Sequence, residues 1–182
     1  MKGVIFTGFL EYVETRFGSL VTENMISSCD LATDGAYSSV GTYRHSEIVQ
    51  MICKLSEISG ISIPLLLQDF GKRLFVLLVS TYPEAVDCTD DSFSLITAIE
   101  NRIHVEVRKL YPDADLPTFS HEFLGADELK LLYTSERGLA DLAHGLLLGC
   151  FEYYKEEVVI TREDLSGGTG KKVVFMISRM AK

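Results

Sequence analysis

His104-Val-Glu-Val-Arg108-Lys-Leu-Tyr111-Pro112 leads through Pro117 into Phe119-Ser-His121-Glu-Phe123, and then to Tyr133-Thr-Ser135-Glu-Arg137. Within this stretch the apolar period changes. Upstream of Pro112, Ile96, Ile99, Ile103, Val107 and Leu110 recur at steps of three and four, the spacing of one helical face. That helix starts at the Asp90-Asp91-Ser92 signal and stops at Pro112, carrying His104 at the margin of its apolar stripe. Downstream, Phe119, His121 and Phe123 alternate, Gly125-Ala-Asp127 reads as a turn, and Leu129, Leu131 and Tyr133 alternate again. A period of two on both sides of a turn predicts a hairpin.

Working back from His104, the chain is helical. Phe6, Phe9, Val13, Phe17 and Leu20 share one face of a first helix, which Gly18 and Ser19 break before a short second helix around 21–25. The Gly-, Ser- and Asp-rich run from Ser27 to Tyr43, including Asp34-Gly35-Ala-Tyr37, reads as a loop. Ser46 is the expected N-cap of a helix with Ile48, Met51, Ile52 and Leu55 on its apolar face, ending at Gly60. Pro64 sits in the first turn of the next helix, where a missing N–H costs nothing. That helix is apolar on most sides, through Leu65, Leu66, Phe70, Leu74, Phe75, Leu77 and Leu78, which predicts burial. Pro83 marks its end.

Working forward from Arg137, Ser135 is the expected N-cap of a helix with Leu139, Leu142, Ala143, Leu146, Leu147 and Cys150 on one face. Val158-Val-Ile160 and Val173-Val-Phe-Met-Ile177 flank Ser166-Gly-Gly-Thr-Gly170 as a second hairpin. The predicted fold is α+β, a helical N-terminal part followed by β-β-α-β-β with a four-stranded antiparallel sheet. A single domain over 1–182 is expected, with 1–60 as its N-terminal helical part and 61–182 carrying the His104 helix and the sheet.

The bulk composition narrows the function. At 182 residues and 47% hydrophobic, the chain is long and apolar enough for a substantial core. A net charge of −9, from 26 acidic against 17 basic side chains, opposes binding to a nucleic-acid backbone. No apolar run approaches the ~18 residues of a membrane span, and Met1-Lys2-Gly3 opens no secretory signal, so a cytoplasmic protein without membrane insertion is expected. Cys29, Cys53, Cys88 and Cys150 show no Cys-x-x-Cys pair and read as buried or half-buried free thiols. No nucleophile–base pair, P-loop or paired-carboxylate motif is present, so no enzymatic activity is expected.

Two features carry chemistry. His104 is either a packing histidine with its ring hydrogen-bonded, the commoner case at such a position, or a metal ligand. Tyr133, Ser135 and Arg137 form either a plain strand–helix junction or a set of donors for a carboxylate, to which arginine offers a planar fork. His45 and His121 lie at no ligand spacing, and His144 reads as a surface histidine.

Taken together, His104 followed by Arg-Lys-Leu-Tyr-Pro-Asp-Ala, Pro117 and Tyr133-x-Ser135-x-Arg137 resembles the H-NOX (heme–nitric oxide/oxygen-binding) family, similar to the heme domain of soluble guanylate cyclase. Met1-Lys2-Gly3 and the Asp34–Tyr37 loop fit as well, and the resemblance covers essentially the whole chain. It implies ferrous heme b with His104 as proximal ligand and Tyr133, Ser135 and Arg137 on the propionates. Pro117 and Ile5 would press on the porphyrin. Leu142, Leu146, Phe9 and Leu74 would line the distal side.

In the family, a distal tyrosine donates a hydrogen bond where dioxygen is held stably. Leu142 stands at that position here, with apolar Phe9 and Leu74 beside it. Losing such a donor costs about 1–3 kcal/mol of ligand affinity. The resemblance therefore implies a sensor of nitric oxide, also binding carbon monoxide, in which NO weakens or breaks the Fe–His104 bond. The output would pass to a separate histidine kinase of two-component signalling or to a cyclic-di-GMP enzyme, a diguanylate cyclase or phosphodiesterase. A dioxygen-binding or redox heme protein is the alternative. The family's C-terminal cysteine/histidine zinc site is not expected, because the last cysteine is Cys150.

Overall fold

The computed structural model describes residues 1–87 and 89–180. Helix α1 (Gly3–Phe17) gives way at Gly18, whose φ of +87° suits glycine, to α2 (Ser19–Ser27). After the expected loop come α3 (His45–Ser59), closed by left-handed Gly60, and α4 (Ile63–Thr81), with Pro64 in its first turn. A single 3₁₀ turn, Pro83–Ala85, follows. Helix α5 (Ser92–Ala98) starts where the aspartates predict it: the Asp91 carboxylate accepts the Ser94 N–H at 2.7 Å.

Three local expectations are corrected. Ser46 does not cap α3, which begins at His45 after an extended Arg44 with no side-chain cap. The His104 helix is not continuous: a π turn, Ile99–Ile103, separates α5 from α6 (His104–Leu110). The turn rotates the buried face: beyond it His104 is buried, whereas Leu110 on the predicted stripe is exposed. Ser135 does not cap the later helix either. Helix α7 (Ala140–Tyr154) begins five residues beyond it, after Gly138 has taken a φ of +63° against the Thr169 carbonyl.

Strands β1 (Thr118–Phe123), β2 (Glu128–Thr134), β3 (Val158–Asp164) and β4 (Lys172–Arg179) form one antiparallel sheet in the order β1-β2-β4-β3. Strict alternation sets its register. Leu129, Leu131 and Tyr133 of β2 lie beside Ile177, Phe175 and Val173 of β4, and all six are buried on one face. Helix α7 covers that face with Ala143, Leu147 and Phe151. Burying each large side chain there contributes about 2 kcal/mol relative to leaving it in water.

A second apolar cluster lies among α1–α4, built on Phe6, Phe9, Val13, Met25, Met51, Leu55, Phe70 and Leu74. Helices α4 and α7 pack at backbone distance where the two clusters meet. A Cβ on Gly145 would stand 2.1 Å from the Gln68 carbonyl oxygen, so only glycine permits that approach. Because α7 is sandwiched, Leu142 belongs to the N-terminal cluster, Leu147 to the sheet cluster, and Leu146 packs against both.

Burial of α4 is less complete than its composition predicts, for Leu65 and Val76 are exposed. Cys53 is exposed as well, while Cys29 is half-buried and Cys150 buried; Cys88 lies outside the described residues. Among the described residues no single helix is long and apolar enough to cross a membrane.

Candidate functional site

The π turn delivers His104 to the first position of α6, where it is 8% exposed. Its ring lies 5.9 Å from that of Phe119, which in turn lies 5.6 Å from the ring of Tyr133, its β2 partner in the sheet register. His104 and the Tyr133 cluster, far apart in sequence, are thus ends of one aromatic row.

The His104 Nδ1 atom lies 3.2 Å from Glu100 Oε2. That oxygen also accepts the Phe119 N–H at 3.1 Å, and Glu100 Oε1 accepts from Arg108 at 3.1 Å. Burial alone pushes the Glu100 carboxyl up, but the hydrogen bonds from Arg108, the Phe119 amide and His104 together hold it below the usual glutamate value. An ionised carboxylate can only accept, so Nδ1 carries the proton. Burial pushes the imidazole's own pKa down, against the opposing pull of Glu100. The ring is therefore neutral near pH 7, and Nε2 presents a free lone pair. That is the donor state a metal-ligating histidine needs.

At the other end of the row, burial raises the Tyr133 hydroxyl's pKa, while the Ser135 hydroxyl, the Leu139 amide and the Arg137 charge oppose the shift. These groups therefore converge, although Ser135 is no helix cap. Its Oγ instead accepts the Arg137 N–H at 3.3 Å. The Arg137 side chain is 16% exposed and reaches Asp115, 75% exposed, at 3.1 Å. The Met1 amine lies in the same field: burial lowers its pKa first, and the Arg137 charge lowers it further. The Arg137 guanidinium is thus countered by an exposed surface carboxylate that an incoming anion can replace, while the Met1 amine donates to the Tyr43 carbonyl at 2.8 Å. Pro117 is half-buried at the entrance to β1.

Phe9, Leu74 and Leu142 are buried in the N-terminal cluster, with Ile5 and Leu146 partly buried against it. None carries a hydrogen-bonding side chain. The tyrosines of the same cluster have their hydroxyls engaged elsewhere: Tyr12 donates to Asp69 at 2.8 Å, Tyr37 donates to Glu47 at 2.7 Å, and Tyr43 accepts the Ser38 N–H at 2.8 Å. His144 is not the surface residue expected. It is half-buried on the sheet side of α7, with its ring 5.7 Å from Phe175.

Sequence reasoning missed Glu100, Asp115 and the Met1 amine. The i,i+4 spacing of Glu100 and His104 was a usable signal for the first. The other two are tertiary.

Known proteins share this fold. The Haem-NO-binding family model matches residues 2–162. An Fe(II) unliganded H-NOX protein from K. algicida is 37% identical, with all of this chain and 98% of that one aligned at a TM-score of 0.95. An H-NOX from Shewanella woodyi, solved bound to IWP-051 in the Fe(II)CO state, is 43% identical over 99% of this chain and 95% of that one, at 0.84. An S. oneidensis H-NOX in the Fe(II)NO state is 28% identical over the full length of both chains, at 0.92. No curated protein matches the chain.

The fold and site define a heme-binding gas-sensor domain. The chain belongs to the H-NOX, or Haem-NO-binding, family.

Proposed function

We propose that residues 1–182 form one domain that senses nitric oxide through ferrous heme b, also takes carbon monoxide, and rejects dioxygen. His104 supplies Nε2 to the iron. Tyr133, Ser135 and Arg137 hold the propionates, Pro117 and Ile5 press on the porphyrin, and Phe9, Leu74, Leu142 and Leu146 wall the distal side. When bound, the heme would supply an iron able to take a diatomic gas.

One observation carries the reading: a buried neutral histidine has its Nδ1–H fixed on a carboxylate, at the end of an aromatic row that leads to an anion-receiving Tyr/Ser/Arg cluster. A packing histidine needs no such partner cluster. A heme held through histidine needs an imidazole lone pair, and cationic donors suit its two carboxylates.

Selectivity follows from what the distal side chains lack. Dioxygen gains polar character on binding and depends on a hydrogen-bond donor, whereas nitric oxide and carbon monoxide depend on one far less. Leu142 offers none, and Tyr12, Tyr37 and Tyr43 are engaged elsewhere. The apolar wall also excludes water from the gas side.

The chain's response is mechanical. With His104 no longer held by a bound group, α6 would be free to shift, and its C-terminal end would pull on the N-terminal residues through Lys2 and Asp113. The altered relation of the two apolar clusters is the signal, read by a separate cytoplasmic histidine kinase or cyclic-di-GMP enzyme.

Absorption spectroscopy of the reduced, heme-loaded protein tests this. The spectrum should be indifferent to air on mixing, shift on adding nitric oxide, and lose its native form in H104G unless imidazole is supplied. A reversible spectral change on admitting air would overturn the selectivity.

A further inference from the structure

Glu100 divides its carboxylate in a specific way. Oε1 takes Arg108, while Oε2 is shared by His104 Nδ1 and the backbone N–H of Phe119. It stands inside the π turn, and π turns recur where a helix has been adapted to a functional group. Its partners come from two elements: His104 and Arg108 on α6, and Phe119 on the edge strand β1. Glu100 thus connects the His104 ring to the sheet through hydrogen bonds.

A carboxylate on Nδ1–H does two things to an imidazole. It locks the tautomer that leaves Nε2 free, and it adds negative character to the ring, which strengthens donation from Nε2. Arg108 acts in the opposite sense. By holding Oε1 it draws charge away from Oε2 and moderates that push. The Phe119 N–H fixes the carboxylate in space, so that the ring orientation follows β1 rather than the freedom of α6.

We propose that Glu100 is the positioning residue of His104, setting by its hydrogen bond to Nδ1 how firmly His104 holds the heme iron and how readily nitric oxide displaces it. Arg108 is the attenuator of that grip. The proposal rests on the reading of His104 as the heme ligand.

Resonance Raman spectroscopy of the reduced, unliganded holoprotein reads the Fe–His stretch directly. E100A should lower its frequency, E100Q should fall between E100A and the unaltered protein, and R108A should raise it. Stopped-flow mixing with nitric oxide should show His104 lost about tenfold faster in E100A, the effect of removing one charge-assisted hydrogen bond. If E100A does not load heme, E100Q and R108A, with their opposite signs, carry the test. A stretch unmoved in E100Q and R108A overturns the role of Glu100 while leaving His104 as ligand. A stretch that persists unchanged in H104G overturns the ligand assignment itself.

Discussion

Lys2 Nζ lies 2.9 Å from Asp113 Oδ1, tying the first residues of the chain to the turn that ends the His104 helix. Thr42 joins the same cluster, receiving Lys2 Nζ at 2.7 Å and donating to Asp113 Oδ2 at 3.2 Å, and Lys2 lies 4.6 Å above the Tyr111 ring. Lys2 also pairs with Thr42 in an isolated antiparallel bridge. The N-terminus, the Tyr43 loop and the end of α6 therefore meet at one point. D113N should leave the fold intact but loosen that point. Hydrogen exchange should accelerate at the amides of Gly3 and Tyr43, which bond to the Gly41 and Met1 carbonyls. Unchanged exchange there would show that the cluster transmits nothing.

Arg137 and Asp115 predict opposite effects on heme retention. R137A removes the cation that would meet a propionate, so heme transfer to an apoprotein acceptor should quicken by about tenfold or more, the scale of a lost charge-assisted hydrogen bond. D115N frees Arg137 from its 3.1 Å partner and should slow the same transfer. Equal rates in both variants would remove Arg137 from the site.

Leu142 predicts a gain of function. L142Y places a phenol in the N-terminal apolar cluster, whose tyrosine hydroxyls are otherwise engaged. A new donor worth about 1–3 kcal/mol should raise dioxygen affinity ten- to a hundredfold, measured by gas titration of the reduced protein. An unaltered affinity would place the gas elsewhere.

Asp91 predicts acid sensitivity. Burial pushes its carboxyl up, but the Ser94 hydroxyl and amide and the Arg179 guanidinium outweigh that and hold it below 3.8. A depressed carboxylate contributes stability in full above its unfolded pKa and loses it as the pH falls through the lower folded value. Thermal melts should therefore drop from about pH 4 downward, and D91N should flatten part of that drop. D91A should also cost about 1 kcal/mol at neutral pH, by removing the N-cap of α5.

Much of this was legible before any coordinates. The steps of three and four through Ile96 and Val107 and the alternation through Leu129 and Tyr133 are consequences of backbone geometry, so they mark helix and strand wherever the chain folds. Gly60 and Pro64 likewise act on their own φ angles and their immediate neighbours. The site's chemical types were readable too, since His104, Tyr133, Ser135 and Arg137 stand in a specific order.

What local pattern does not encode, packing decided. The π turn at Ile99–Ile103 shifts the buried face from the predicted stripe, whose Leu110 is exposed, toward His104, and Glu100 within it reaches Phe119 on another element. Ser135 looks like a cap, yet α7 starts only at Ala140, because Gly138 must first pass the Thr169 carbonyl from the second hairpin. Leu142 and Leu147 share a predicted face but serve different clusters, because α7 is pressed between α4 and the sheet.

By itself, then, the sequence determined the elements, their order and the residue types able to hold a heme, because those depend on neighbours along the chain. Only the tertiary structure decided which nitrogen of His104 is free, what holds its ring, and which carboxylate stands beside Arg137. Those depend on groups that meet through space, where burial and hydrogen bonding set each side chain's charge and aim.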